Sequence, residues 1–131
     1  MHVIKSGNDF LRLESFENRL EMTRRIKERY SSRIPIIVLQ PEHNNNIPKL
    51  SQYKYLVPDD LTVSQFMFVL RKRIKLDHSK ALFMFVNRSV LLNGSMYMDL
   101  VYNQYKSDDG FLYITLAGEN TFGSVSEMVD M

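Results

Sequence analysis

The chain contains no cysteine. That excludes disulfides, thiolate metal sites and a cysteine nucleophile, and it accords with a cytosolic or nuclear protein. No apolar run approaches the length of a membrane-spanning helix. The opening residues, Met1 to Asp9, lack the basic-then-apolar layout of a signal peptide. Repeats and low-complexity segments are missing. The patterns that carry catalysis are missing too. There is no glycine-rich phosphate loop. His2, His43 and His78 are scattered through loops and ends without metal-ligand spacing. The carboxylate pairs Asp59-Asp60 and Asp108-Asp109 read as turn residues. No catalytic residue, metal ligand or cofactor is therefore expected, and the chain reads as a non-enzyme. A net charge of +2 is too mild to argue for nucleic acid.

What is present suits one domain: 131 residues, 44% of them hydrophobic, enough to build a core. Basic charge is unevenly spread. Arg19, Arg24, Arg25, Lys27, Arg29 and Arg33 crowd one stretch against Glu21 and Glu28, and Arg71, Lys72, Arg73 and Lys75 crowd another. The usual meaning of such clusters is a solvated face. The alternative is a salt-sensitive secondary contact to anionic lipid or acidic protein tails.

Residues 13 to 30 predict an amphipathic helix, with Leu13, Phe16, Leu20, Ile26 and Tyr30 on one face and Glu21 and Arg25 paired at i,i+4 on the other. A helix before residue 12 is only weakly signalled. Residues 34 to 39 predict a strand, blemished by Pro35, which cannot donate to a ladder. Residues 52 to 57 predict a second strand that closes a hairpin. Thr62-Val-Ser-Gln65 has the form of a capping box and opens a helix through Leu76, with Val63, Phe66, Val69, Leu70 and Ile74 as its apolar stripe. Residues 82 to 86 are apolar throughout, as in a strand covered on both faces. Asn93-Gly94 marks a turn, residues 98 to 105 a short helix, and residues 111 to 116 a last strand. The order is that of an α+β, ubiquitin-like β-grasp with an N-terminal helical extension. It divides into an extension over 1–31, a core over 32–117 and a tail over 118–131.

Gly123 stands eight residues before the end. Glycine has no side chain to obstruct a protease cleft or an acyl-transfer site. Cutting after it would expose an unhindered carboxylate that can be activated and joined to an amine. It would also remove Glu127 and Asp130, making the remainder more basic. The bland reading of such a residue is flexible filler in a loose terminus.

Several segments together carry a resemblance: Phe16-Glu-Asn-Arg19, Arg33-Ile-Pro-Ile-Ile37, Lys54-Tyr-Leu-Val-Pro58, Leu70-Arg-Lys-Arg73, Phe85-Val-Asn87, Asp109-Gly-Phe-Leu-Tyr113 and Thr121-Phe-Gly123. In this order the chain resembles the ubiquitin-like autophagy modifiers over roughly residues 13 to 123, most closely the microtubule-associated protein light chain three branch. The resemblance implies a modifier with no catalysis of its own. A processing cysteine protease would read Thr121 and Phe122 and cut after Gly123. Activating and conjugating enzymes would carry the new carboxylate to the amine of phosphatidylethanolamine, moving a cytoplasmic protein onto autophagosome membranes.

The resemblance also implies a docking groove for cargo receptors bearing aromatic-x-x-aliphatic motifs, bound as a strand added to the edge of the second strand. Ile26, Pro35, Ile37, Lys54, Leu56 and Phe111 would line the aromatic pocket. Tyr55, Val57, Pro58, Phe66, Val69 and Arg73 would line the aliphatic one. On patterning alone the apolar members read as ordinary core, and an apolar pocket is commonly a core left partly open. Arg73 or Lys72 would pair with acidic residues flanking the peptide.

The chain departs from the family pattern in places. Met22 stands where an acidic residue is common, and Gln52 where the light chain branch commonly has lysine. The N-terminal arm lacks the basic pair of many light chains. That argues against microtubule or nucleic-acid binding through the arm, and leaves tubulin tails as a secondary contact of the helix-borne basic patches. A non-conjugated groove-binding adaptor of the same fold is the alternative function.

Overall fold

Short polar residues start both N-terminal helices. At α1, Gly7–Leu13, the Ser6 hydroxyl accepts from the Asp9 N–H. At α2, Phe16–Arg29, the Ser15 hydroxyl accepts from the Asn18 N–H. The computed structural model describes residues 3–41 and 47–118. The helix expected over 13–30 is thus shorter, because Ser15 takes an extended conformation (φ −69°, ψ 153°) as the cap of α2 and separates it from α1. The expected apolar face is also turned: Phe16, Leu20 and Tyr30 are exposed, whereas Thr23 is buried and Met22 and Ile26 are half-buried.

Strands β1, Arg33–Leu39, and β2, Lys54–Pro58, form the predicted antiparallel hairpin, with Pro35 opposite Leu56 and Ile36 opposite Tyr55. Helix α3, Val63–Ile74, opens on the predicted capping box: Thr62 Oγ1 accepts from the Gln65 N–H, and Gln65 Oε1 accepts from the Thr62 N–H. It stops at Lys75, which adopts a left-handed conformation. Strand β3, Leu82–Val86, is followed by an unanticipated short strand, β4, Val90–Leu91. Asn87 and Arg88, both at positive φ, make the turn between them without a glycine to announce it. Helix α4, Met98–Tyr105, falls where the sequence places it, and β5, Leu112–Gly118, closes the fold.

The five strands form one mixed sheet in the order β2-β1-β5-β3-β4, with β1 and β5 parallel at its centre. Side chains alternate across it. Ile34, Ile36, Val38, Tyr55, Val57, Leu112, Ile114 and Leu116 meet Phe66 and Leu70 of α3 and Met98 and Val101 of α4 in one large apolar cluster. On the other face Ile37 meets Phe10 of α1 and Phe111, covered by half-buried Met22 and Ile26 of α2. Two glycines allow the close approaches. A Cβ on Gly7 would collide with the Val38 carbonyl oxygen, and one on Gly110, at φ +89°, with the Thr23 hydroxyl.

A polar knot ties α2 to the entry of β5. Asp109 is 1% exposed, so it is more than the turn residue read from the sequence. Its carboxylate pairs with Arg19 Nη1 at 3.3 Å and accepts from the Phe111 N–H and the Tyr113 hydroxyl. Its carbonyl accepts from Thr23 Oγ1. Burial, then the bond to Asp109, hold the Tyr113 hydroxyl protonated far above the ordinary phenol range.

Candidate functional site

Strand β2 has a single sheet neighbour, so among the described residues its second edge is unpaired. The Val38 N–H donates to the Tyr53 carbonyl, which turns the even-numbered backbone groups of β1 toward β2 and makes Tyr55 and Val57 the ladder partners of Ile36 and Ile34. Lys54 and Leu56 then direct their N–H and C=O outward. Pro35 lies on the β5 side of β1 before that pairing begins at Ile36, so its missing N–H costs no ladder bond.

The residues expected to line the aromatic pocket gather on the α1/α2 side of this edge. Directly opposed residues share a face, so Lys54 sits with Ile37 and Leu56 with Pro35. Ile37 and Phe111 are fully buried, Pro35 is buried, and Ile26, Lys54 and Leu56 are half-buried. Phe10, which sequence reasoning missed, stands among them. Its ring meets Phe111 edge-on at 5.4 Å and Tyr53 at 5.8 Å, and Lys54 Nζ lies 5.6 Å from its centre. The signal for Phe10 was the Ser6 cap three residues before Asp9, too short a pattern to stand out.

The residues expected to line the aliphatic pocket gather between β2 and α3. Tyr55, Val57 and Phe66 are part of the large core, with Tyr55 and Phe66 edge-on at 5.5 Å. Val69, Pro58 and Arg73 are exposed along the rim. The Arg73 guanidinium lies 5.6 Å above the Tyr55 ring, and burial raises the pKa of the Tyr55 hydroxyl while Arg73 opposes the rise. The expected lining residues thus come from β2, its neighbour β1, α2, α3 and the entry of β5, with Tyr55, Val57 and Phe66 in the large core; Pro58, opposite Arg33, falls by register on the Lys54 and Leu56 face, not with Tyr55 and Val57. Gln52 and Arg33, not singled out for the groove, also reach it: Gln52 Nε2 donates to the Lys54 carbonyl and Arg33 Nη1 to the Leu56 carbonyl.

The first basic cluster is largely self-paired. Arg19 is tied to Asp109, Arg24 and Arg25 both pair with Glu21, and Lys27 sits 4.2 Å from the centre of the Tyr102 ring, where burial lowers its pKa. In the second cluster Arg71 donates to the Lys80 carbonyl and Lys72 sits over Phe68. Thr121, Phe122 and Gly123, like His2 and His43, lie outside the described residues. Among the described residues no group of His, Cys, Asp or Glu is arranged to hold a metal, and no helix is long and apolar enough to cross a membrane.

Residues 18–123 match the family described as "Autophagy protein Atg8 ubiquitin like". Autophagy-related protein 8e of Arabidopsis thaliana is 47% identical over 123 residues, covering 94% of this chain and 99% of its own. Autophagy-related protein 8 of Schizosaccharomyces pombe is 49% identical over 111 residues, covering 85% and 90%. The crystal structure of Trypanosoma brucei ATG8 superposes with a TM-score of 0.76 at 42% identity, covering 82% of this chain and 91% of that one.

Proposed function

The chain belongs to the Atg8 family of ubiquitin-like autophagy proteins, and from that membership we propose that it is a conjugated modifier and a docking module. Hydrolysis of the Gly123–Ser124 peptide bond frees the Gly123 carboxylate. Partner enzymes join it to the phosphoryl group of a nucleotide, drawn from a nucleoside triphosphate with loss of pyrophosphate, and a partner thiol then displaces the nucleotide to give a thioester. The amine of phosphatidylethanolamine attacks the thioester carbonyl, the thiolate leaves, and an amide fixes the protein to the autophagosome membrane. Glycine suits each step because no side chain crowds the carbonyl. Catalysis resides in the partners, and this chain contributes the acyl group. The observation that carries this reading is the extent of the family match, which runs to Gly123 and stops there.

Once on the membrane, the protein presents the β2 edge to cargo receptors. An extended aromatic-x-x-aliphatic peptide adds as a strand beside Lys54 and Leu56. Main-chain bonds supply affinity, and the alternate anchors enter the two apolar sets on either side of β2. The unpaired edge of β2, flanked by those sets, supports this half of the proposal.

Intact-mass measurement of protein recovered from cells, with and without induction of autophagy, tests the first half. The expected species end at Gly123, one of them heavier by one phosphatidylethanolamine, and both vanish in Gly123→Ala. Recovery of the full 131-residue mass alone under both conditions overturns conjugation and leaves the soluble groove-binding adaptor.

A further inference from the structure

Between α2 and α4 lies a cleft of about 540 Å³ that shares no residue with either set beside β2. Its lining includes Leu20, Arg24, Lys27 and Glu28 of α2, Tyr102 of α4 and Gly110 at the entry of β5. At one end two ammoniums converge on one ring. Lys27 Nζ lies 4.2 Å and Lys106 Nζ 5.4 Å from the centre of the Tyr102 ring, which is only 8% exposed. The Tyr102 hydroxyl is spent on the Gly110 carbonyl. Neither lysine has a carboxylate within ion-pair distance among the described residues. Lys27 donates over 3.4 Å to the Arg33 carbonyl, and the Lys106 ammonium donates to no described residue. Burial first, and the charge of Lys106 second, lower the Lys27 pKa against a smaller opposing pull from Asp59. The two cations are thus close enough to repel each other, and they lack an anion to relieve them. Arg24, by contrast, is already paired with Glu21. At the other end of the cleft Leu20 is an exposed apolar side chain.

We propose that this cleft is a second docking surface, separate from the β2 edge, for an acidic peptide segment of a partner protein, with two carboxylates seated on Lys27 and Lys106 and an aliphatic side chain on Leu20. The carboxylates gain charge-assisted bonds from cations that now bond little. Leu20 and Lys27 are separated along α2 by a rise of about 10 Å, which an extended peptide covers in about three residues. Glu28 repels an acid on its own side of Lys27 and so directs the pair toward Lys106. Charge alone would equally suit an anionic membrane, but position favours the peptide. The cleft lies at Gly110, just before β5 begins, and the chain leaves toward Gly123 from Gly118, at the other end of a strand roughly 20 Å long. A protein anchored through Gly123 holds the Gly118 end nearest the bilayer and the cleft away from it. That choice of occupant rests on the conjugation reading above; the cation pair does not.

Amide-resolved NMR titration of the full, unconjugated chain with a synthetic peptide tests this. The peptide carries a leucine three positions before two adjacent glutamates, with serine and glycine elsewhere, and it has no aromatic residue to use the β2 edge. The expected shifts centre on Leu20, Lys27, Tyr102, Lys106 and Gly110. Binding is expected to weaken about tenfold in Lys106→Gln, to weaken further when Lys27→Gln is added, and to persist in Lys106→Arg, which keeps the charge. A peptide with glutamines in place of the glutamates is expected to leave the cleft unshifted. Shifts at the cleft that survive both lysine-to-glutamine changes, or no shifts there with the glutamate peptide, overturn the proposal. Flotation with phosphatidylserine vesicles checks the occupant: vesicle binding that is lost in the double variant, with no peptide binding, assigns the cleft to a membrane instead. The intact-mass measurement reports on conjugation separately, so either reading can fail alone.

Discussion

The two faces of the sheet are closed by different means. Among the described residues, the apolar cluster on the α3/α4 face holds twenty-one buried side chains, and the one under α1 and α2 holds three. The first face is held by packing. The second is held by Ile37 and two buried rings, Phe10 and Phe111, a rim of half-buried residues and the polar knot of Arg19, Thr23, Asp109 and Tyr113. A thinly filled face with directional polar ties can open locally at modest cost. The aromatic side of the proposed groove lies on that face. The aliphatic side borrows residues from the packed one, where Tyr55, Val57 and Phe66 cannot move far.

The widest test of this difference is a pair of ring deletions. Phe66→Ala empties a site enclosed on every side and is expected to lower unfolding free energy by about 4 kcal/mol in urea denaturation. Phe10→Ala is expected to lower it by about 2 kcal/mol, because Met22 and Ile26 at the rim can settle into the gap. Equal losses from the two would erase the distinction between the faces.

Between those values lies the polar knot. Asp109→Ala leaves Arg19, with only 13% of its side chain exposed, without its counter-charge. It also strips the Phe111 N–H and the Tyr113 hydroxyl of their acceptor. A loss of about 3 kcal/mol is expected, with amide exchange rising first along α2. A loss below about 1 kcal/mol would show that apolar contacts alone hold α2 to the sheet.

The smallest effects sharpen the comparison most. Thr62→Ala and Ser15→Ala each delete one helix cap, worth about 1 kcal/mol. Thr62 starts a helix embedded in the large core, so its loss is expected to appear in the global unfolding midpoint. Ser15 starts a helix on the thin face, so its loss is expected to appear mainly as faster amide exchange within α2 while the midpoint barely moves. Identical responses would make the molecule one cooperative unit with no separately opening face.

Much of the architecture was legible because its signals are local. The Thr62–Gln65 box, the unbroken apolar run of β3 and the bounds of α4 each depend on residues a few positions apart, and each stands where the sequence places it. The period-two alternation of a strand likewise accounts for Lys54 and Leu56 facing one side of β2 and Tyr55 and Val57 the other. Local signals failed where a distant partner decided the outcome. Phe16 and Leu20 fit a helical apolar stripe, yet they face solvent because Thr23 and Arg19 are drawn inward by Asp109, far along the chain. Phe10 lies in a seven-residue helix with little propensity signal, and it is buried because β1 and Phe111 supply the other walls of its site.

The sequence by itself determined β1, β2, β3 and β5, the helices α3 and α4, the capping of α3 and the family to which the chain belongs, since those reside in spacing and in contiguous motifs. Only the tertiary structure decided that β2 is an edge, that one sheet face is packed and the other thinly closed, and that Arg33 and Gln52 reach the outward carbonyls of β2 while Arg73 holds Gln52. Such facts depend on strand order and on contacts between residues remote in the chain, and no window along the sequence contains both partners.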